Sequence, residues 1–224
     1  MALVNTIIFD MDGTLFQTNK ILEKSLHDTF NELKKKGLWN EVTPIEKYRE
    51  IMGVPLEEVW KVLLPNGTDQ TRIEANHYFQ DKLMEHIVKG NGALYTNADR
   101  LLANLQQSGY TLFIASNGQQ NYLNSICEFY QLNRWVKEVF SIESIASQDK
   151  GDLVKTIIKK YNLKEAIVVG DRSSDFNAAS ANGFQSIGCC FDFAKEEELV
   201  KANYIVNDLL EIEDILLELN GSQA

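Results

Sequence analysis

Ile7-Ile8-Phe9-Asp10-Met11-Asp12-Gly13-Thr14-Leu15 is the stretch on which the reading of this chain turns. Three apolar residues run directly into two aspartates, a glycine and a threonine. A short, nearly continuous apolar run, here spanning 4–9, is the pattern of a strand covered on both faces. It stops in residues that favour turns. The same texture returns twice: Leu112-Phe113-Ile114-Ala115 ends in Ser116-Asn117-Gly118, and Ile167-Val168-Val169 ends in Gly170-Asp171-Arg172-Ser173-Ser174-Asp175.

Around these stretches, short apolar runs at 110–115, 166–169, 186–190 and 204–206 alternate with helical spacing at 98–107, 121–130, 153–161 and 175–181. Strands separated by helices predict a parallel sheet covered on both faces, a Rossmann-like, doubly wound α/β core. In such a sheet the strand ends at Asp10, Ser116 and Asp171 share one carboxyl edge, where open α/β sheets bind ligands.

The alternation breaks between about Phe16 and Asn91. This stretch shows no convincing strand, but amphipathic helical patterns at 21–36, 43–52, 56–64 and 71–88. Gly37, Gly53, Pro55, Pro65 and Gly67 punctuate them. It is too long for a connection within a compact domain. The expectation is therefore a core of residues 1–15 and 92–224 with an all-helical cap domain, 16–91, inserted after the first strand. Trp39 and Trp60 are expected to pack inside it. The tail 220–224 is expected to fray.

Composition narrows the partners. A chain of 224 residues with 44% hydrophobic and 24% charged content is ordinary for a soluble globular protein. Its net charge of -10 argues against nucleic acid or an anionic membrane as partner. No apolar run approaches the roughly 20 residues that span a bilayer, and MALVNTIIFD shows no basic leader. Three cysteines, Cys189 and Cys190 adjacent, make no disulfide framework and read as buried, reduced thiols. A cytoplasmic location is expected. His27, His77 and His86 lack metal-ligand spacing.

The clustered polar residues suit attack on a phosphate ester. A carboxylate can serve as nucleophile and divide a very slow hydrolysis into two displacements. An anionic nucleophile and an anionic substrate need a hard cation between them, and magnesium (Mg2+) takes carboxylates, waters and phosphate oxygens. Asp10 and Asp171 suit that task. Asp12, two residues on, is placed to protonate the leaving oxygen and then activate water. Gly13 would let the backbone come close to phosphate. Lys150, ahead of the helical stretch at 153, is the best candidate for a balancing positive charge, with Lys155 its competitor.

Asp10-Met11-Asp12-Gly13-Thr14-Leu15, Ser116-Asn117, Lys150 and Gly170-Asp171-x-x-x-Asp175 together resemble the four signature motifs of haloacid dehalogenase-like hydrolases. The resemblance covers the core on both sides of the insertion. It points to the phosphatase branch with a helical cap after the first motif, similar to phosphoglycolate phosphatases and beta-phosphoglucomutases. It implies that Asp10 is the nucleophile and Asp12 the general acid/base. Ser116 and Lys150 would hold the phosphate, helped by the Asn117 amide. Asp10, Asp171 and the Asp12 carbonyl would ligate magnesium, with Asp175 acting through a metal-bound water or Lys150. Dehalogenases and phosphonate-cleaving members lack the second aspartate, so Asp12 argues against both. Gln17-Thr18 departs from the Asp-Ser or Asp-Thr pair of many relatives, which bears on the cap hinge rather than the chemistry.

The segment from Glu46 to Pro55 resembles the substrate-facing loop of related caps, where Arg49, or less readily Lys47, could meet a second anionic group. Arg172 is left out of the catalytic set as a residue able to point to solvent. The expected activity is a magnesium-dependent phosphatase acting on a phosphorylated small molecule. A sugar-phosphate mutase with the same core and a receiver-like phosphoacceptor stay open as alternatives. The sequence also leaves open the substrate (phosphoglycolate, a sugar phosphate, a nucleotide or pyrophosphate) and the oligomeric state.

Overall fold

The computed structural model describes residues 3–51, 56–192 and 194–221. Contacts divide the chain into two compact units, Met1–Thr18 with Ala93–Ala224, and Asn19–Gly92. Each is described by itself.

The first unit is an α/β core. Its six strands are β1 (Thr6–Phe9), β2 (Thr111–Ser116), β3 (Val136–Ser141), β4 (Ile167–Gly170), β5 (Gln185–Cys189) and β6 (Tyr204–Val206). All pair in parallel, in the order β3-β2-β1-β4-β5-β6. The chain winds outward from β1 through β2 to β3, then returns to β4 on the other side of β1. That reversal makes the junction of β1 and β4 a topological switch point, where the connections diverge and leave a crevice. Every residue of β1 and β4 is buried, as central parallel strands require. One face packs Ile8, Phe113, Ala115 and Val168 against Leu153, Val154, Ile157, Ala178 and Ala179.

The alternating helices of the core are α5 (Ala98–Gln107), α6 (Gln120–Phe129), α7 (Lys150–Tyr161), α8 (Ser173–Ala181), α9 (Glu196–Leu199) and α10 (Glu211–Gly221), numbered after four helices in the other unit. Three of these elements, β3, α9 and α10, lie outside the sequence expectations. Strand β3 sits at the sheet edge, where Lys137 and Glu138 interrupt the apolar run, and Glu138 is met there by Lys160 and Tyr161. Helix α10 buries Ile212 and Leu216, a four-residue spacing on one face. Two expectations are corrected. Lys150 does not precede helix α7 but opens it, with Asp149 as N-cap accepting from the Asp152 amide at 3.1 Å. Cys190 lies beyond β5 and is exposed, so only Cys127 and Cys189 are buried thiols; all three are free.

The second unit is helical: α1 (Asn19–Lys35), α2 (Ile45–Glu50), α3 (Leu56–Leu63) and α4 (Asp69–Val88). Helices α1 and α4 form its main pair. Phe30, Trp60 and Phe79 are almost wholly buried, and their rings meet at 5.7–6.4 Å, with Trp39 edge-on to Phe30. The Trp60 indole donates to Asn76 Oδ1 at 3.0 Å, which meets the polar demand of the buried ring. Met52, Gly53, Val54 and Pro55, part of the expected substrate-facing loop, lie outside the described residues, as do residues 222–224 of the tail. Among the described residues no helix is long and apolar enough to cross a membrane.

Candidate active site

Strand β1 delivers Asp10 to the switch point. Phe9 is level with Ile114 of β2 and Val169 of β4, and the Asp10 amide donates to the Val169 carbonyl at 2.8 Å. The chain then turns tightly, with the amides of Leu15 and Phe16 donating to the Met11 carbonyl at 3.0 and 2.9 Å. Gly13 takes φ +80°, and a Cβ there would lie 2.4 Å from Asp171 Oδ2. A side chain at position 13 would occupy the space of the Asp171 carboxylate, so the glycine is needed for both conformation and room. Gly170 is similar: a Cβ would fall 2.1 Å from Asp175 Cγ.

Asp10, Asp171 and Asp175 each offer a carboxylate oxygen within 4.8 Å of the others, all three buried. Lys150, 5% exposed, reaches into this group from the start of α7. Its ammonium donates to Asp10 Oδ1 and lies 2.5 Å from Asp175 Oδ1. The backbone amide of Arg172 donates to Asp175 Oδ2 at 3.1 Å, so α8 is capped by the same carboxylate that faces Lys150. Asp171 Oδ1 is buried without a hydrogen-bond partner among the described residues.

Lys150 brings one positive charge to three buried carboxylates, and the imbalance shows in their protonation. Burial pushes Asp171 up to about 9, and the charges of Asp10 and Asp175 add to it. Burial raises Asp10 to about 7; Lys150 opposes this, while Asp175 and Asp12 reinforce it. Burial alone would lower Lys150, but Asp10 and Asp175 outweigh it and hold the ammonium charged. An oxygen-only donor set, three carboxyl groups to one lysine and a partnerless Asp171 oxygen together fit a hard divalent cation.

Asp12 is half-buried, and both Thr18 Oγ1 and the Tyr122 hydroxyl donate to its Oδ1 at 2.5 Å. Burial still raises its pKa above the usual carboxylate value, against these bonds, the charge of Lys150 and a hydrogen bond with the Ser116 side chain. Ser116 ends β2 almost fully buried, its Oγ accepting from the Gly118 amide at 3.0 Å. Asn117 is exposed in the loop that follows, and Ser141 Oγ pins that loop by donating to the Gly118 carbonyl at 2.7 Å.

The core therefore brings Asp10, Lys150, Asp171 and Asp175 into direct contact or close approach, with Gly13 against Asp171. Lys155 is exposed on α7, away from the buried face that carries Lys150. Arg172 does not point freely to solvent: its guanidinium makes two contacts to Glu198, at 3.2 and 3.1 Å, and Glu198 also accepts from the Ser173 amide at 2.7 Å. In the helical unit Arg49 is paired with Glu23 and Glu46, and Lys47 is exposed. Sequence reasoning missed the contacts of Thr18 and Tyr122 with Asp12. Thr18 lies six residues from Asp12 and was within reach of a local reading. Tyr122 is 110 residues away, and no local pattern signals it.

A sequence profile described as haloacid dehalogenase-like hydrolase matches residues 7–189. The chain belongs to the haloacid dehalogenase-like hydrolases. Its relatives place it in the phosphatase branch of the family. It is 24% identical over 198 residues to a 5'-nucleotidase of Pseudomonas aeruginosa, covering 86% of each chain. It is also 24% identical over 221 residues to the pyrophosphatase PpaX of Anoxybacillus flavithermus, covering 97% of each. A structure described as a predicted phosphoglycolate phosphatase from Haemophilus somnus superposes with a TM-score of 0.82 at 20% identity, over 96% of this chain and 99% of that one. At that identity the likeness speaks for the fold.

Proposed function

We propose that this haloacid dehalogenase-like hydrolase is a magnesium-dependent phosphatase that hydrolyses a small-molecule phosphate monoester through an aspartyl-phosphate on Asp10. The observation that carries the reading is the buried group in which Lys150 bridges Asp10 and Asp175 while Asp171 keeps an oxygen without a partner. A structural ion pair would be balanced; here three buried carboxyl groups share one lysine, in a place where burial makes ionising all of them costly.

In this reading Asp10, Asp171 and the Asp12 carbonyl would hold magnesium, with Asp175 contributing through a water or Lys150, and the ion would supply charge neutralisation between anionic nucleophile and phosphate. Asp10 attacks phosphorus, and Lys150 balances charge on Asp10 and on a phosphate oxygen. Ser116 and the Asn117 amide hold further phosphate oxygens. Asp12 gives a proton to the departing ester oxygen as its bond to phosphorus breaks. It then takes a proton from the water that attacks the aspartyl-phosphate, freeing Asp10 and inorganic phosphate. These core residues recognise only the phosphate. The helical unit is therefore assigned the choice of leaving group, as a cap. The relatives are named for different substrates (a nucleotide, pyrophosphate and phosphoglycolate), so the chain's own preference has to be read by assay.

The test is inorganic phosphate release from nucleoside monophosphates, sugar phosphates, phosphoglycolate and pyrophosphate, with magnesium and with chelator, beside Asp10→Asn. Magnesium-dependent release that falls by about 10⁴-fold or more in the variant is expected. Appreciable turnover by Asp10→Asn removes it as nucleophile. Absence of release from every substrate, with phosphoryl returned to a bisphosphate-primed sugar, makes the protein a mutase instead.

A further inference from the structure

General acid catalysis asks more of Asp12 than proximity. A carboxyl group has two oxygens, and the proton has to sit on the one that meets the leaving group. Asp12 lies in a tight loop and is half-buried. Two hydroxyls donate to the same one of its oxygens, Oδ1: Thr18 from the chain just after the loop, and Tyr122 from the first turn of α6.

Tyr122 is built into place. It is 5% exposed. A Cβ at Gly118 would lie 3.1 Å from its ring, so the glycine of the preceding loop relieves crowding against the ring. That loop is itself held, by the Gly118 amide on Ser116 Oγ and by Ser141 Oγ on the Gly118 carbonyl. The hydroxyl therefore approaches Asp12 on a fixed scaffold.

An oxygen that accepts two O–H bonds has used both lone pairs and cannot also bear a proton. We propose that Tyr122 is a positioning residue for the hydrolysis: with Thr18 it locks Asp12 Oδ1 as the accepting oxygen and so makes Oδ2 the one that exchanges the catalytic proton. In the first displacement the Oδ2 proton passes to the ester oxygen as phosphorus bonds to Asp10 and the ester bond breaks. In the second, Oδ2 takes the proton of the attacking water as the bond between Asp10 and phosphorus breaks. Atoms and charge balance, and the two hydroxyls stay bonded to Oδ1 throughout. This inference rests on the acid/base reading of Asp12.

The test separates proton delivery from structure by leaving group. An aliphatic phosphate needs its departing oxygen protonated, whereas p-nitrophenyl phosphate releases a stable phenolate that does not. The constant kcat/KM reports only the steps up to the first leaving-group departure. Tyr122→Phe keeps the ring and removes the hydroxyl. It is expected to lower kcat/KM for the best aliphatic substrate by about 10- to 100-fold, and for p-nitrophenyl phosphate by less than about threefold, at an unchanged melting temperature. Equal losses on the two substrates, or no loss on either, overturn the role of Tyr122. Asp12→Asn beside it keeps the two layers apart. If Asp12→Asn shows the leaving-group split and Tyr122→Phe does not, only this inference fails. If Asp12→Asn itself shows no split, the acid/base reading fails with it.

Discussion

The two units of this protein handle charge in opposite ways. In the α/β core, Asp10, Lys150, Asp171 and Asp175 are all at most 6% exposed, packed at the end of a fully buried strand. In the helical unit the interior is aromatic and aliphatic, centred on Phe30, Trp60 and Phe79. Its ion pairs, among them Lys35 with Glu32, Lys61 with Glu58, and Arg49 with Glu23 and Glu46, lie on the surface. Exposed pairs of this kind contribute little to stability. Buried charges with incomplete partners cost stability and persist where a site needs them. The difference teaches where each unit's residues act: the helical unit is held by apolar packing, and the core tolerates an unfavourable cluster at its switch point.

Three measurements break or sharpen that contrast. The largest effect is expected from Trp60→Ala, which removes the buried ring joining Phe30 to Phe79. Chemical denaturation should show a loss of about 3–5 kcal/mol. A loss below about 1 kcal/mol would mean that the aromatic centre is not what holds the helical unit together.

Asp171→Asn should act in the other direction. In chelator, the variant is expected to be more stable than the parent by about 1–3 kcal/mol at neutral pH, while losing phosphatase activity. The sign follows from the raised pKa. Burial, with the charges of Asp10 and Asp175, holds the folded carboxyl at about 9, against 3.8 without these influences. The folded state therefore keeps its proton where the unfolded state has lost it, and stability conferred by this group falls as pH rises from about 4 toward about 9. The advantage of the asparagine should widen across that window and vanish below it. A destabilised variant at pH 7 would show that Asp171 supports the fold.

The smallest effect is expected from Arg49→Gln. The exposed pairs it breaks should leave the melting temperature unchanged. Its value lies in the kinetics. A KM that rises for substrates with a second anionic group, and not for those with one, would give Arg49 a place in substrate choice. Unchanged constants would leave it a surface residue.

Much of this arrangement was legible without coordinates, and the reasons are local. Strands β1, β2 and β4 are apolar runs that end in small and acidic residues, and parallel pairing alone brings those ends to one edge. Lys150 was found through its place in that series, although the cap at Asp149 that makes it the first residue of α7 was overlooked. Strand β3 escaped because an edge strand is half-solvated and tolerates Lys137 and Glu138, which blur the apolar signal. Helix α10 carries a readable four-residue spacing that the reading passed over. Cys190 was misplaced because the apolar run 186–190 extends one residue past the strand: β5 ends at buried Cys189, and Cys190 already lies in the exposed chain beyond it.

What the sequence by itself determined is therefore the fold class and the identity of the acidic and basic groups at the strand ends, since both follow from short-range periodicity and the geometry of parallel strands. Tertiary structure alone decided how those groups are partnered. Whether Lys150 faces Asp10 and Asp175, whether Asp171 keeps an oxygen unpaired, and whether Tyr122 reaches Asp12 across 110 positions are matters of ångström-scale packing between distant segments. Hydrogen bonds and burial act through space, and neither leaves a period in the sequence to be read.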